Sequence, residues 1–473
     1  MTVSETVSTI QTRTRDDGFL GTSRNGNLKD TVQDLKNLSP AERGEALSMF
    51  TDDDLKEIAN DVNAGGIFGA SGLSNDEKRD LFDTMADGAS GKDLAHLASA
   101  FDSREDTQLL AESVASKGSN EAKQAYIQEM SARTADNDSG FSSQFLSGST
   151  TDNSDKDAKA VLTVLNSFDT ATPEGRAAFD QAIKDMPQDA LKSVAKAGVN
   201  ETTFTAIDYS GGANGSPGVA HTTVSYRTDG LNALLDKVAG SSDPQVKGKV
   251  FEAAADAVSG MRENAGVHLG MSSIGTDQKI ADVVGRMTTV MNSDPRGITD
   301  QLNKSDAYGL GLSTYVAEVM RSDPKAGAEI LGKQLAQLQG AGTGLSPTEF
   351  FEQQSPGTNG TPYYKNAETL GYYAGALRAG IDSLNKDTTE TGTMVKGVLG
   401  AAISAASLGR AGGTVSGLTG AVVDQVVAQA NGSRTETARV LEQLAIPVDA
   451  NGDRYQGPAT ATFDSKAAKV RAQ

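Results

Sequence analysis

Three times this chain writes the same helix-start signal. Ser39-Pro40-Ala41-Glu42, Ser74-Asn75-Asp76-Glu77 and Ser346-Pro347-Thr348-Glu349 each set a serine three residues ahead of a glutamate. The serine oxygen accepts an orphan backbone N–H, the glutamate reaches back to the cap, and a proline after the serine is pre-set for the first helical turn. Apolar residues follow at helical spacing: Leu28, Val32, Leu35 and Leu38; then Leu55, Ile58, Ala59 and Val62; then Leu94, Leu97, Ala98 and Phe101. A chain so punctuated is bound to short amphipathic helices that must bury one face against each other.

The signals repeat. Leu38-Ser39 with Glu42-Arg43 is echoed by Leu73-Ser74 with Glu77-Lys78, and Asp54-Leu55 with Ile58-Ala59 by Asp93-Leu94 with Leu97-Ala98. The run from Thr172 to Lys196 reads as a third, degenerate copy. Helix pairs at such a period stack as α-hairpins, and the uneven spacing makes an irregular array. The expected fold is mainly α: an irregular array of helical hairpins with one inserted β-hairpin and an apolar C-terminal helical hairpin.

Composition sets the expected boundaries. Residues 1–27 are rich in Ser and Thr and read as a disordered tail. Residues 28–133 form a helical-hairpin domain, and the Asp/Asn/Ser/Thr/Gly-rich stretch 134–157 a linker. A helical domain over 158–392 carries the β-hairpin at 202–227, where Thr203–Tyr209 and His221–Arg227 flank a Gly-rich tip. An apolar helical hairpin over 393–446 and an extended tail over 447–473 complete the chain. The paired tyrosines Tyr363-Tyr364 and Tyr372-Tyr373 are expected to pack on the apolar hairpin with their hydroxyls at its rim.

Charge and chemistry narrow the function. Lys and Arg number 43 against 62 Asp and Glu, a net charge of −19, which repels nucleic acid. The chain has no Cys, which excludes disulfides, thiolate metal sites and Cys nucleophiles. Gly88-Ala89-Ser90-Gly91-Lys92 has the wrong spacing for a phosphate loop, and Gly340-Ala341-Gly342-Thr343-Gly344 follows a helix, where it reads as a stop. His96, His221 and His268 lie far apart, in no zinc motif. Asp449-x-Asn451-x-Asp453 begins like an EF-hand, but Arg454 stands where glycine is needed.

Two places remain as candidate sites. Lys396, Arg410 and Asp424 divide the stretch Thr393–Ala428 into uncharged runs of about 13 residues, the length of buried helices rather than of a bilayer span. Within it Gly409, Gly413 and Gly417 form a smooth stripe suited to close helix packing or membrane contact. The second is Gly275-Thr276-Asp277 with Glu318, which is similar to the calcium loop of annexins; that resemblance implies a Ca²⁺ held by turn carbonyls and a distant acid.

The order of features, Leu73–Ala132, the hairpin near Thr202–Arg227, Pro362–Ala376, Gly420–Gln429 and Pro447–Gly457, resembles helical regions of large secreted toxin- or effector-like proteins of proteobacteria. The resemblance implies no active site. It implies a non-enzymatic secreted bacterial protein acting through contact with a protein or membrane of a host or rival cell, with a secretion chaperone as a further partner. The polar start has no apolar core of a signal peptide, so export without a cleaved signal is expected. The alternatives are a carboxylate-dependent hydrolase of cell-wall or glycan substrate, and a cytoplasmic structural or assembly protein.

Overall fold

The computed structural model describes residues 2–15, 24–63, 73–134, 150–152, 155–208, 219–266, 271–273, 275–306, 308–345, 347–352, 355–356, 362–384, 386–408, 428, 434–446 and 457–471. The fold is mainly α. It divides into two compact units, Met1–Ser241 with His268–Ile274, and Ser242–Val267 with Gly275–Gln473.

Unit 1 carries α1 (Val3–Thr14), α2 (Arg24–Lys36), α3 (Pro40–Ser48), α4 (Asp52–Asn63), α5 (Asn75–Ala86), α6 (Gly91–Ala100), α7 (Arg104–Lys117) and α8 (Asn120–Thr134). After β1 (Thr150–Asp152) come α9 (Lys156–Asn166), α10 (Pro173–Asp185), α11 (Gln188–Gly198), β2 (Glu201–Asp208), β3 (Val219–Tyr226) and α12 (Asp229–Ala239), and β4 (Met271–Ser273) closes the unit. Helices pack on their next-but-one neighbours: α4 on α6, α6 on α8 and α8 on α10 in one layer, α5 on α7, α7 on α9 and α9 on α11 in the other. That alternation is the stacked-hairpin array the repeat predicts. The capping boxes at Ser39 and Ser74 are both formed and start α3 and α5, helices of the same layer.

The layers close where glycine permits. A β-carbon on Gly88, whose φ is +138°, would collide with the Pro40 carbonyl, and one on Gly44 with the Gly88 carbonyl. Between the layers the core is aliphatic with few rings; Phe82 and Phe101 meet edge to face at 5.4 Å. The β-hairpin is present as β2 and β3, antiparallel from Glu201↔Tyr226 to Asp208↔Val219. It is the centre of a four-stranded sheet, with β1 antiparallel on β2 and β4 parallel on β3.

Unit 2 contains α13 (Pro244–Gly266), α14 (Thr276–Ser293), α15 (Pro295–Ser305), α16 (Leu310–Ser322), α17 (Pro324–Leu338) and α18 (Pro347–Glu352). A two-residue ladder of β5 (Ser355–Pro356) and β6 (Pro362–Tyr363) leads to α19 (Lys365–Asp382), α20 (Thr388–Leu408), α21 (Arg434–Ala445) and α22 (Pro458–Arg471). The helix α19 is central and packs on α16, α21 and α22, while α17 lies along α20. Its buried hydroxyls form a network: Tyr373 donates to Gln334 Oε1 at 2.8 Å, Gln334 Nε2 donates to the Tyr315 hydroxyl at 3.1 Å and to Asn292 Oδ1 at 2.7 Å.

Several expectations are corrected. Residues 1–27 are not a featureless tail: α1 opens on a complete capping box of Thr2 and Glu5, and Val7 and Ile10 are buried. The stretch 134–157 does not separate the units, because α8 and α9 on either side pack together; the division falls after Ser241. The C-terminal stretch is not extended over 458–471, where α22 packs on α19 with Phe463 and Val470 buried. Tyr372 and Tyr373 are wholly buried rather than rim residues, because polar partners wait for them inside: Asp306 at 3.3 Å for Tyr372, Gln334 for Tyr373. In the apolar stretch, α20 begins at Thr388, ahead of the expected 393, and the residues that would turn the hairpin lie outside the described residues. The cap serine Ser346 also lies outside them.

Candidate functional site

The calcium expectation falls on a real cluster in unit 2, but its centre is a side chain. Gly275, with φ +68°, is the N-cap of α14; Thr276 is buried in the first turn and Asp277 follows it. Glu318, 4% exposed, comes from α16. The two acids converge on Arg262 of α13: its Nη1 lies 2.6 Å from Asp277 Oδ1, its Nη2 2.6 Å from Glu318 Oε2, and its Nε donates to Glu318 Oε1 at 3.0 Å. Arg321 adds a second cation at 3.2 Å from Glu318 Oε1. A guanidinium that grips one carboxylate with two N–H groups and a second with a third stands where the ion was expected. Burial pulls the Arg262 guanidinium down, the hydrogen bonds to Glu318 and Asp277 push it up, and the balance lies above its ordinary value. Sequence spacing brings the two acids together and misses the arginine, which lies on a third helix with no local signature.

The stripe Gly409, Gly413 and Gly417 lies outside the described residues. The part of the same stretch that is described does make close contacts. A β-carbon on Gly332 of α17 would collide with the Val398 carbonyl, and one on Gly397 of α20 would sit 2.8 Å from the Ala328 Cβ. Met394, Val395, Val398 and Leu399 of α20 are buried in the unit. Among the described residues no helix is long and apolar enough to cross a membrane.

In unit 1 a cleft of about 150 Å³ opens between α4, α6 and α8, lined by Asp52, Lys56, His96, Ser99 and Arg133 among others. His96 stands between two carboxylates: Nδ1 is 3.1 Å from Asp52 Oδ1 and Nε2 is 3.5 Å from Glu129 Oε1. Arg133 Nη2 is 3.9 Å from the same Glu129 oxygen. Ser99 is not poised as a nucleophile, since its hydroxyl donates to the His96 carbonyl at 2.6 Å. An aspartate on one imidazole nitrogen leaves the other free to act as a base in a catalytic couple. Here that second nitrogen faces Glu129, so the ring stands between carboxylates of α4 and α8. The cleft is smaller than the roughly 300 Å³ at which ligand pockets usually begin. The sequence shows His96 only as an isolated histidine, because its partners lie one helical hairpin before it and one after.

No protein-family model matches the chain, and no curated protein matches its sequence.

Proposed function

We propose that the chain acts by contact, as a secreted bacterial effector whose helical array presents broad faces to a protein of a host or rival cell. The observation that carries this reading is the stacking in unit 1, where alternate helices form two layers from α4 to α11. Stacked helical hairpins bury their faces on neighbouring repeats and offer extended outward surfaces, the geometry that repeat proteins use for partner binding. The absence of Cys is compatible with export. A protein partner is favoured over a bilayer because the apolar face of α20 is buried within unit 2.

The test is binding of the purified chain to intact bacterial and cultured plant cells before and after surface proteolysis, beside flotation with phosphatidylcholine/phosphatidylglycerol vesicles. Saturable binding that proteolysis removes, without flotation, is the expected result. Release of sugars from peptidoglycan or glycan substrates would replace the reading with the hydrolase one. Flotation with the vesicles would replace it with membrane contact.

A further inference from the structure

A neutral imidazole has one N–H donor, and an imidazolium has two. Both nitrogens of His96 face carboxylate oxygens, and those carboxylates belong to different helices: Asp52 to the first turn of α4, Glu129 to α8. A neutral ring can donate to one of them and must turn a lone pair toward the other. Only the protonated ring satisfies both. From the same directions come two cations, Lys56 on α4, 3.8 Å from Asp53, and Arg133 on α8, so protonation of the ring adds a third positive charge beside the three carboxylates Asp52, Asp53 and Glu129. Among the described residues α5 and α7, which also pack on α6, contribute no charged side chain to its lining.

We propose that His96 is a proton-operated clamp that ties α4 to α8 across α6 and tightens one layer of unit 1 when the medium is acid. The ring is partly exposed, 26%, so protons reach it without unfolding the array. With the ring neutral one helix is released and the cleft loosens; with both nitrogens protonated α4, α6 and α8 move as one. This goes beyond the contact reading and does not depend on it, since the clamp is read within the isolated chain.

Amide hydrogen exchange of the full chain at pH 5.5 and 7.5, corrected for intrinsic rates, tests it. Peptides covering 52–63 and 120–134 are expected to be about two- to five-fold better protected at pH 5.5, the size partly exposed ion pairs reach. Peptides of α14 serve as the internal reference. In His96→Gln the pH difference in those two segments disappears, and in Asp52→Asn it disappears from α4 alone. Asp52→Asn, at an exposed position, carries the test if His96→Gln does not fold. Equal pH responses in the wild type and in Asp52→Asn would overturn the clamp, as would stronger protection at pH 7.5.

Discussion

The first residue of α6, Gly91, lies so close to Ala122 of α8 that a β-carbon on it would collide with the Ala122 carbonyl and press on the Tyr126 amide. The contact sets how closely two helices of one layer approach. Gly91→Ala is therefore expected to destabilise unit 1 by about 1–3 kcal/mol through overpacking. Gly260 of α13 is the counter-case, a helical glycine with open space around it. Gly260→Ala is expected to stabilise by about 0.5–1 kcal/mol through the lost entropy of the unfolded chain. Thermal unfolding of the two variants beside the wild type checks both signs.

Among the described residues of unit 1, Lys78 of α5 and Asp106 of α7 make the most enclosed ion pair between neighbouring helices. Their 2.6 Å contact joins a lysine 14% exposed to an aspartate 1% exposed. Removing one partner strands a buried charge, whereas removing both removes the problem. Lys78→Met is expected to cost about 3 kcal/mol. Lys78→Met with Asp106→Leu is expected to recover most of that loss. Denaturant titrations of the single and double variants give the coupling directly. A double variant no more stable than the single one would show that a stranded Asp106 charge is not what destabilises Lys78→Met.

The array was legible because its signals are local. Ser39 and Ser74 announce their helices, Leu94, Leu97 and Ala98 announce a buried face, and the positive φ of Gly340, Gly342 and Gly344 bears out the stop after α17. The features missed depend on distance or on faint apolar signal. In α1 two buried aliphatic residues, Val7 and Ile10, were too few to stand out of a Ser/Thr-rich run. Arg262 could not be chosen among 43 cations before its helix was placed against Asp277 and Glu318. The fate of the tyrosine hydroxyls depended on Gln334, a polar residue buried in a helix whose pattern reads as core, and on Asp306, the half-buried residue that ends α15.

The capping box of α5 should fail in acid. Glu77 accepts from Lys29 and from the backbone and side chain of Ser74, and these bonds hold its carboxyl down at about 2 against an ordinary 4.5. A depressed carboxylate contributes stability that is present above its unfolded value and lost as pH falls toward its folded one. The contribution is thus complete above about pH 4.5 and gone below about pH 2. Glu77→Gln keeps a side chain able to reach the cap but drops the charge that draws in Lys29, whose Nζ lies 2.7 Å from Glu77 Oε1. The variant is expected to melt below the wild type at pH 6, with the gap closing as both are taken to pH 2. A gap that stays constant with pH would mean the ion pair adds nothing beyond the cap.

Asp157 should behave in the opposite sense. It sits in the first turn of α9, 6% exposed, and its Oδ1 has no hydrogen-bond partner among the described residues. Burial pushes its carboxyl up from 3.8; Lys156 pulls it down, Asp155 adds to the rise, and Arg133 opposes it. The hydroxyl of Tyr126 on α8, buried and also without a partner among the described residues, is pushed up by its own burial and then by the Asp157 charge. A carboxyl raised on folding contributes stability below its unfolded value, and that contribution is lost as pH rises through its folded value. At neutral pH the charge is a cost. Asp157→Asn is therefore expected to raise the melting temperature at pH 7 and to lose its advantage below about pH 4, where the wild-type carboxyl is protonated in both states. Tyr126→Phe removes an unpaired buried hydroxyl while keeping the ring, and a gain of about 1 kcal/mol is expected from it. Melting curves at pH 4 and 7 separate the two, because the Asp157 effect changes with pH and the Tyr126 effect does not.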